Sequence, residues 1–135
     1  MSLADEVQFI ENYINLMKIR LPQSVDVKLE KDIEDPHTKV APLLFISLVE
    51  NAFKHGISST EPSFIHMSIT QKGNSLCAII ENSNYPKSEK DRSGHGIGLQ
   101  QVQRRLDLAY YEQYEWTKGV SDDGKVYSST IKITL

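Results

Sequence analysis

The sequence predicts an α+β domain of two layers, a two-layer α/β sandwich in which three helices lie on one face of a mixed sheet of about five strands. Apolar residues recur every three or four positions in three stretches, as in helices, and at every second position in others, as in strands. Residues 72–74 (Lys-Gly-Asn) and 121–124 (Ser-Asp-Asp-Gly) are typical of tight turns between paired strands. The resulting element order is αβαββαββ.

Length and charge limit the class of protein. The 135 residues suffice for one domain with a hydrophobic core. A net charge of −3 and scattered Lys and Arg residues argue against a protein that binds duplex nucleic acid. No run approaches the roughly 18 apolar residues of a membrane span, and no signal peptide is recognisable. Cys77, the single cysteine, has no partner for an internal disulfide. We therefore expect one globular domain.

The first predicted helix carries a regular apolar stripe and is ended by Pro22. The stripe has spacings of four and three residues, and its members are Leu3, Val7, Ile10, Ile14, Met17 and Leu21. Two interpretations stay open: the seam of a helix that pairs with another helix, or an amphipathic helix that covers its own domain. We divide the chain into a leading helix, residues 1–22, and a domain, residues 23–135.

The strands are predicted from alternation and from their flanking turns. Residues 25–30 alternate apolar and charged side chains, as in a half-buried strand, and residues 63–70 place Ile65, Met67 and Ile69 on one face. Residues 76–81 are apolar on both faces, which predicts a strand in the interior of the sheet. Two further strands, residues 114–120 and 125–135, complete the sheet.

The most informative helix is predicted over residues 42–57, which read PLLFISLVENAFKHGI. Pro42 suits a first helical turn and Gly56 suits a helix end. One side is apolar and predicted to be buried: Phe45, Leu48, Val49, Ala52 and Phe53. The other side brings polar and charged groups together at spacings of three and four residues: Ser47, Glu50, Asn51, Lys54 and His55. This face is either an ordinary solvated surface with a Glu50–Lys54 pair or a site for chemistry.

A second informative stretch follows a polar loop and reads Gly94-His95-Gly96-Ile97-Gly98-Leu99. Glycines let the backbone approach a ligand closely, and the start of a helix favours an anion such as phosphate. The stretch lacks the Gly-Lys-Ser/Thr of a Walker A motif, and no strand leads directly into it. The third helix follows, with an apolar stripe formed by Leu99, Val102, Leu106, Ala109 and Tyr110.

In combination these two stretches resemble the ATP-binding catalytic domain of sensor histidine kinases, within the GHKL (HATPase) superfamily. The shared features are L-V-E-N-A-x-K-H-G, about 40 residues of hairpin and polar loop, and then G-x-G-I-G-L. The leading helix is most similar to that of the LytS-type branch, on the residues Glu6, Tyr13, Ile14, Leu16 and Arg20. The resemblance implies the Bergerat-type ATP-binding fold, with residues 1–22 the C-terminal part of a dimerisation helix and residues 23–135 the catalytic domain.

The resemblance also implies ATP and Mg²⁺ as cofactors and gives roles to the helix of residues 42–57. Asn51 matches the asparagine whose amide oxygen helps to hold Mg²⁺. Glu50 matches the acid that activates or orients the attacking group. Lys54 and His55 match positions that face the phosphates and offset negative charge. We therefore expect Glu50, Lys54 and His55 to be catalytic, and Asn51 and Lys54 to bind the metal–nucleotide.

The remaining nucleotide contacts follow from the two glycine boxes of the family. Gly94, His95, Gly96, Ile97, Gly98 and Leu99 match the box that closes over the phosphates, and residues 83–93 match the ATP lid. The other box, D-x-G-x-G, is altered here to Asn82-Ser83-Asn84. The Asn82 carbonyl can accept a hydrogen bond from the adenine amino group, without the charge assistance of an aspartate. Asn84 replaces a glycine close to the base.

The function implied is transfer of the γ-phosphoryl of ATP to a histidine upstream of this segment. None of the chain's histidines, which are His37, His55, His66 and His95, lies in an acceptor-type helix. The implied partners are the dimerisation and phosphotransfer region of the same protein, a response-regulator receiver domain and a second copy in a homodimer, with no nucleic acid. The implied location is cytoplasmic, in a protein anchored in the inner membrane. Two alternatives stay open: a degenerate nucleotide-binding module without catalysis, and an ATPase in which Glu50 activates water.

Overall fold

The computed structural model describes residues 1–58, 61–84 and 95–135, and for residues 95–98 it describes the backbone alone. The described elements follow the predicted order αβαββαββ, which is confirmed. They are α1 (Leu3–Lys18), β1 (Val25–Ile33), α2 (Ile46–His55), β2 (Ser63–Lys72), β3 (Ser75–Ser83), α3 (His95–Tyr110), β4 (Tyr114–Val120) and β5 (Val126–Thr134).

The strands form one mixed five-stranded sheet in the order β1-β2-β3-β5-β4. β1 runs parallel to β2, which requires a crossover, and α2 lies in that crossover. The other pairs are antiparallel, and β3 is the central strand, as its two apolar faces predicted. Gly73 and Gly124, with φ of 55° and 75°, occupy the two turns that the sequence predicted.

The helices cover one face of this sheet, which confirms the two-layer architecture. The buried side chains of the covered face are Ile65, Met67, Ile69, Leu76, Ala78, Ile80, Ile131 and Ile133. The alternate residues of the same strands point to the outer face, where Lys28 and Glu81 are exposed. The hydrophobic core therefore lies between the sheet and the layer formed by the described helices.

Helix α1 packs its apolar stripe into this core. Leu3, Val7, Ile10 and Ile14 are buried, and Met17 and Leu21 are partly buried against the same cluster. Of the two interpretations left open by the sequence, the structure therefore favours the helix that covers its own domain. α1 ends at Lys18, earlier than the predicted stop at Pro22.

Helix α2 begins later than predicted. Residues 42–45 form a turn, and the helix runs only from Ile46 to His55. Leu43 has a φ of 59°, in the left-handed region, and this conformation is incompatible with a right-handed helix through Pro42. The predicted apolar stripe is confirmed: Phe45, Leu48, Val49, Ala52 and Phe53 are all buried.

Helix α3 begins earlier than predicted, at His95, so Gly96 and Gly98 lie within the helix rather than in a turn before it. Gly94 lies outside the described residues. Val102, Leu106 and Tyr110 are buried and Leu99 packs against the core, but Ala109 is exposed, contrary to the predicted stripe. In the described part of the chain, no helix has the length and apolar character needed to cross a membrane.

Candidate functional site

The polar side of α2 faces away from the core, as predicted. Glu50 and Lys54 are exposed, and Ser47, Asn51 and His55 are half-buried. An acid, an amide, an ammonium group and an imidazole are thus presented over about two helical turns, because residues three and four apart share one side of a helix. This arrangement can bind a polyanion and a hard cation together.

Helix α2 borders helix α1 through Tyr13. The Tyr13 ring meets the Phe53 ring edge-on, with centroids 5.6 Å apart and planes at 77°. Burial, followed by the negative charge of Glu50, raises the pKa of the Tyr13 hydroxyl. Glu50 therefore lies within electrostatic reach of α1.

The end of α2 lies directly against the end of β3. A Cβ added to Gly56 would stand 2.7 Å from the Ala52 carbonyl oxygen and 2.8 Å from Asn82 Cβ, so only glycine fits there. Ser83 Oγ donates to the Gly56 carbonyl and accepts from Phe64 N at 3.1 Å. These contacts join α2, β2 and β3 at one point.

Asn82 is buried at this junction, with 4% of its surface exposed. Its Nδ2 donates to the Ser83 carbonyl at 2.8 Å, which orients the amide. Among the described residues, no donor contacts Asn82 Oδ1. The side chain therefore keeps one acceptor that no described donor uses, at the end of β3 that lies against Gly56.

Asn84, unlike Asn82, forms hydrogen bonds to the turn between β4 and β5. Its backbone N–H donates to the Lys125 carbonyl at 2.8 Å and its Nδ2 to the Gly124 carbonyl at 2.9 Å. Both bonds attach the end of β3 to the turn between β4 and β5. Asn84 is thus a structural anchor of that turn, and its contact with a nucleotide stays a prediction.

Helix α3 packs against α2 and meets its start. Arg105 Nη1 donates to the Leu43 carbonyl, and Ala41 N donates to the Tyr110 hydroxyl at 2.8 Å. Because the last turns of α3 lie at the beginning of α2, we expect the first turn of α3 to point toward the end of α2.

Sequence reasoning missed the residue that holds the start of α2. Glu6 is fully buried, and its carboxylate accepts from Leu43 N at 2.9 Å and from Phe45 N at 3.1 Å. A signal was available, because Glu6 lies three residues after Leu3 and four before Ile10, within the apolar stripe of α1. A charged residue in a buried stripe requires partners.

The described residues contain no group of three His, Cys, Asp or Glu side chains placed to hold a metal. The donor set nevertheless fits Mg²⁺ of the kind that is bound through one or two protein oxygens plus substrate phosphates, since Asn51 offers an amide oxygen beside Glu50.

A surface depression of about 640 Å³, lined by Leu76, Gln113, Tyr114 and others, lies at the opposite end of β3 from Asn82.

Comparison with known proteins identifies the fold. No family model matches the chain. The catalytic domain of histidine kinase ThkA covers 99% of the chain with a TM-score of 0.68 and 14% identity, and the match spans 93% of that domain. The fold is that of a histidine kinase catalytic domain. The histidine kinase domain of a blue-light-activated kinase from Erythrobacter litoralis has a TM-score of 0.69 at 19% identity, over 98% of this chain and 65% of that one.

The proteins that are similar to this chain in sequence agree with the result of the fold comparison, because they are sensor histidine kinases. The sensor histidine kinase YesM of Bacillus subtilis is 24% identical over 118 residues, 84% of this chain and 20% of YesM. The sensor protein LytS of Oceanobacillus iheyensis is 22% identical over 118 residues, 77% of this chain and 20% of LytS. The resemblance predicted from the sequence is thereby confirmed. The chain spans about a fifth of the length of the curated relatives it matches.

One matching structure contains a second protein. It is a complex of histidine kinase ThkA with the response regulator protein TrrA, in which the kinase has a TM-score of 0.59 and 21% identity to this chain. The match covers 99% of this chain and 41% of the ThkA chain. The candidate site residues therefore lie on a fold that, in ThkA, belongs to a protein that binds a response regulator.

Proposed function

We propose that this chain binds ATP together with Mg²⁺ and acts as the catalytic domain of a two-component sensor histidine kinase. In the longer protein, the γ-phosphoryl would pass from ATP to a histidine upstream of this segment. The observation that carries the proposal is the junction of α2 with β3: the helix that presents Glu50 and Asn51 ends at Gly56, in contact with the buried acceptor Asn82. The proposed adenine acceptor and the proposed metal–phosphate surface are therefore neighbours.

The polar residues of α2 would have different roles at the phosphates. Asn51 would hold Mg²⁺ through its amide oxygen, and the ion when bound neutralises charge that develops on the phosphates. Glu50 would orient the acceptor imidazole and take its proton. Lys54 and His55 would place positive charge and donors beside the phosphoryl group. The start of α3, from His95 to Leu99, would add backbone N–H groups and the positive end of a helix dipole.

Adenine recognition falls to Asn82. Because Nδ2 already donates to the Ser83 carbonyl, the amide presents Oδ1 as an acceptor for the exocyclic amine of adenine. Guanine, which carries a carbonyl at that position, would meet oxygen with oxygen. A neutral amide forms a weaker hydrogen bond than a carboxylate, so we expect selective but modest affinity.

One of the proposed partners is supported by a relative of the fold. ThkA, which shares the fold, is found with a response regulator, and we propose that a receiver domain takes the phosphoryl group from the kinase to which this domain belongs. The dimerisation and phosphotransfer region would supply the acceptor histidine in a homodimer. We propose a cytoplasmic location for this domain, in a protein anchored in the inner membrane.

Calorimetry tests the nucleotide site. A non-hydrolysable ATP analogue is titrated into the wild type and into Asn51→Ala, with Mg²⁺ and with EDTA. We expect Asn51→Ala to weaken Mg²⁺-dependent binding by at least about tenfold, or about 1.4 kcal/mol, and to leave metal-free binding nearly unchanged. Asn12→Ala is the matched control, because Asn12 is exposed on α1 and its amide oxygen accepts a hydrogen bond from Gln8 of the same helix. Equal losses with and without Mg²⁺ would contradict the ligand role of Asn51.

The altered Asn82 favours a second candidate, a nucleotide-binding or interaction module without catalysis. The absence of any binding at millimolar analogue would support that module. Phosphotransfer separates the remaining candidates: with labelled ATP, we expect label on a separately added acceptor segment and none on this chain. Acid-labile label that stays on the isolated chain would contradict the upstream acceptor, and steady phosphate release without transfer would indicate an ATPase.

A further inference from the structure

Helix α1 holds the start of α2 through one buried carboxylate. Glu6 Oε2 accepts from Leu43 N and Oε1 accepts from Phe45 N, at 2.9 and 3.1 Å. Glu6 is fully buried, and no described Lys, Arg or His side chain forms an ion pair with it. Phe45, the N-cap residue of α2, provides no side-chain cap of its own. Glu6 therefore supplies the acceptors that the start of α2 lacks.

The backbone held by Glu6 is in an unfavourable conformation. Leu43 has a φ of 59°, which costs free energy for any residue with a Cβ and persists only where the surroundings fix it. Glu6 binds its N–H from one side and Arg105 binds its carbonyl from the other. The position of the first residue of α2 thus depends on contacts made by α1 and α3.

Helix α1 contacts α2 a second time through Tyr13. Tyr13 follows Glu6 by seven residues, two helical turns, and therefore lies on the same side of α1. Its ring packs edge-on against Phe53, and the charge of Glu50 acts on its hydroxyl. The two contacts fix α2 at its start and in its second half, on either side of Asn51.

Resting on the proposed function, we propose that Glu6 and Tyr13 are positioning residues for the nucleotide site. By holding a ten-residue helix at two points, they fix where Glu50 and Asn51 stand relative to the bound phosphates. A displacement of about 1 Å in a catalytic group is enough to lower rates strongly, so such support has a functional consequence. Helix α1 is then part of the nucleotide-binding apparatus, and moving α1 moves the site.

Glu6→Gln tests the first contact. Glutamine keeps the size and one acceptor but presents an NH₂ group to the second backbone N–H. We expect the Kd for the Mg²⁺–ATP analogue to rise at least threefold, and hydrogen exchange without nucleotide to accelerate in α2 relative to β3. The control is Leu76→Ala, which truncates a buried side chain about 20 Å from Asn82 along β3. Affinity and exchange in the two variants are compared at conditions where both have lost the same amount of Tm. Leu76→Ala should leave the Kd within twofold and accelerate exchange in β3 as much as in α2.

Tyr13 provides the rescue experiment and a second route if Glu6→Gln does not fold. Tyr13→Phe keeps the ring contact with Phe53 and should bind like the wild type, whereas Tyr13→Leu should raise the Kd and accelerate exchange in α2. Wild-type affinity in a folded Glu6→Gln or Tyr13→Leu variant, with unchanged α2 exchange, would overturn the inference. If the wild type binds no analogue, the proposed function is overturned instead. The rate of hydrogen exchange in α2 relative to β3, measured without nucleotide, would still decide whether Glu6 and Tyr13 hold α2.

Discussion

The two ends of helix α2 are held in different ways. At its start, residues 42–45 form a turn with a left-handed Leu43, and side chains from α1 and α3 reach in to bind its backbone. At its end, Gly56 lies so close to Asn82 that no side chain fits between them. The start depends on long polar side chains and the end depends on close backbone packing.

This difference predicts how each end responds to change. A hydrogen-bonded side chain can be shortened or replaced, and the cost is that of the bonds lost. At Gly56 an added Cβ would stand less than 3 Å from its neighbours, so it cannot be accommodated unless an element moves, since packed interiors deform little. The end of α2, which borders the proposed adenine acceptor, should therefore be the less tolerant of the two.

Gly56→Ala should have the largest effect. The added methyl group would stand 2.7 Å from the Ala52 carbonyl oxygen and 2.8 Å from Asn82 Cβ. We expect a loss of about 3 kcal/mol in the free energy of unfolding, measured by urea denaturation, with loss of nucleotide binding. Gly119→Ala in β4 is the matched control, because its Cβ would meet nothing within 4 Å. Equal effects of the two substitutions would remove the distinction between the ends of α2.

Glu6→Ala should rank second. It leaves the N–H groups of Leu43 and Phe45 without their acceptors in a buried position. We expect about 2 kcal/mol of destabilisation by denaturant unfolding. Glu11→Ala on the same helix is the control, since Glu11 pairs with Lys31 at the surface and such pairs contribute less than about 1 kcal/mol. If Glu6→Ala lowered the free energy of unfolding no more than the control does, the start of α2 would not depend on the Glu6 carboxylate.

Ser83→Ala should cost less, about 1.5 kcal/mol in the same measurement. It removes the acceptor of Phe64 N and the donor to the Gly56 carbonyl, but the close packing of Gly56 on Asn82 persists. Ser75→Ala, at the exposed beginning of the same strand, should be nearly neutral. If Ser83→Ala were as damaging as Gly56→Ala, the end of α2 would depend on hydrogen bonding as the start does.

The faces of α2 were predictable from the sequence because helical periodicity is a local property. The buried stripe of Phe45 to Phe53 and the polar side of Glu50 to His55 follow from spacing alone. The ends were not predictable in the same way. Glu6 lies 37 residues from Leu43, and Ser83 lies 27 residues from Gly56, so no local pattern connects these partners.

Two of the wrong helix boundaries, the start of α2 and the start of α3, have a physical reason. Pro42 is compatible with a first helical turn and equally with an ordinary turn, and the left-handed Leu43 decides for the turn. Gly96 and Gly98 are poor helix formers, so the sequence placed them before α3, whereas in the structure the helix includes them. Local propensity alone therefore does not decide either boundary. The fold class survived because element order and type depend on longer patterns.

The smallest effect is expected on the outer face of the sheet, at Asp26 of β1. His66 Nε2 lies 2.9 Å from Asp26 Oδ2, and this hydrogen bond, with the nearby Lys28, holds the pKa of Asp26 below its ordinary value. A lowered carboxyl pKa stabilises the folded state above the unfolded pKa, and this contribution disappears as the pH falls through the folded pKa. Asp26 is exposed, so solvent screens the interaction and Asp26→Asn should not measurably change Tm at pH 7 or pH 3.

A carboxyl titration followed by NMR should nevertheless show the low pKa of Asp26 in the wild type and its return toward the ordinary value in His66→Leu, which has no donor for the carboxylate. This pair lies on the side of the sheet that none of the described helices covers, so it provides the reference against which both ends of α2 are judged. Suppose Asp26→Asn lowered Tm as far as Ser83→Ala does, and only above the pKa of Asp26. The outer face would then contribute to stability as the covered face does, and burial would no longer explain why the contacts at α2 matter more.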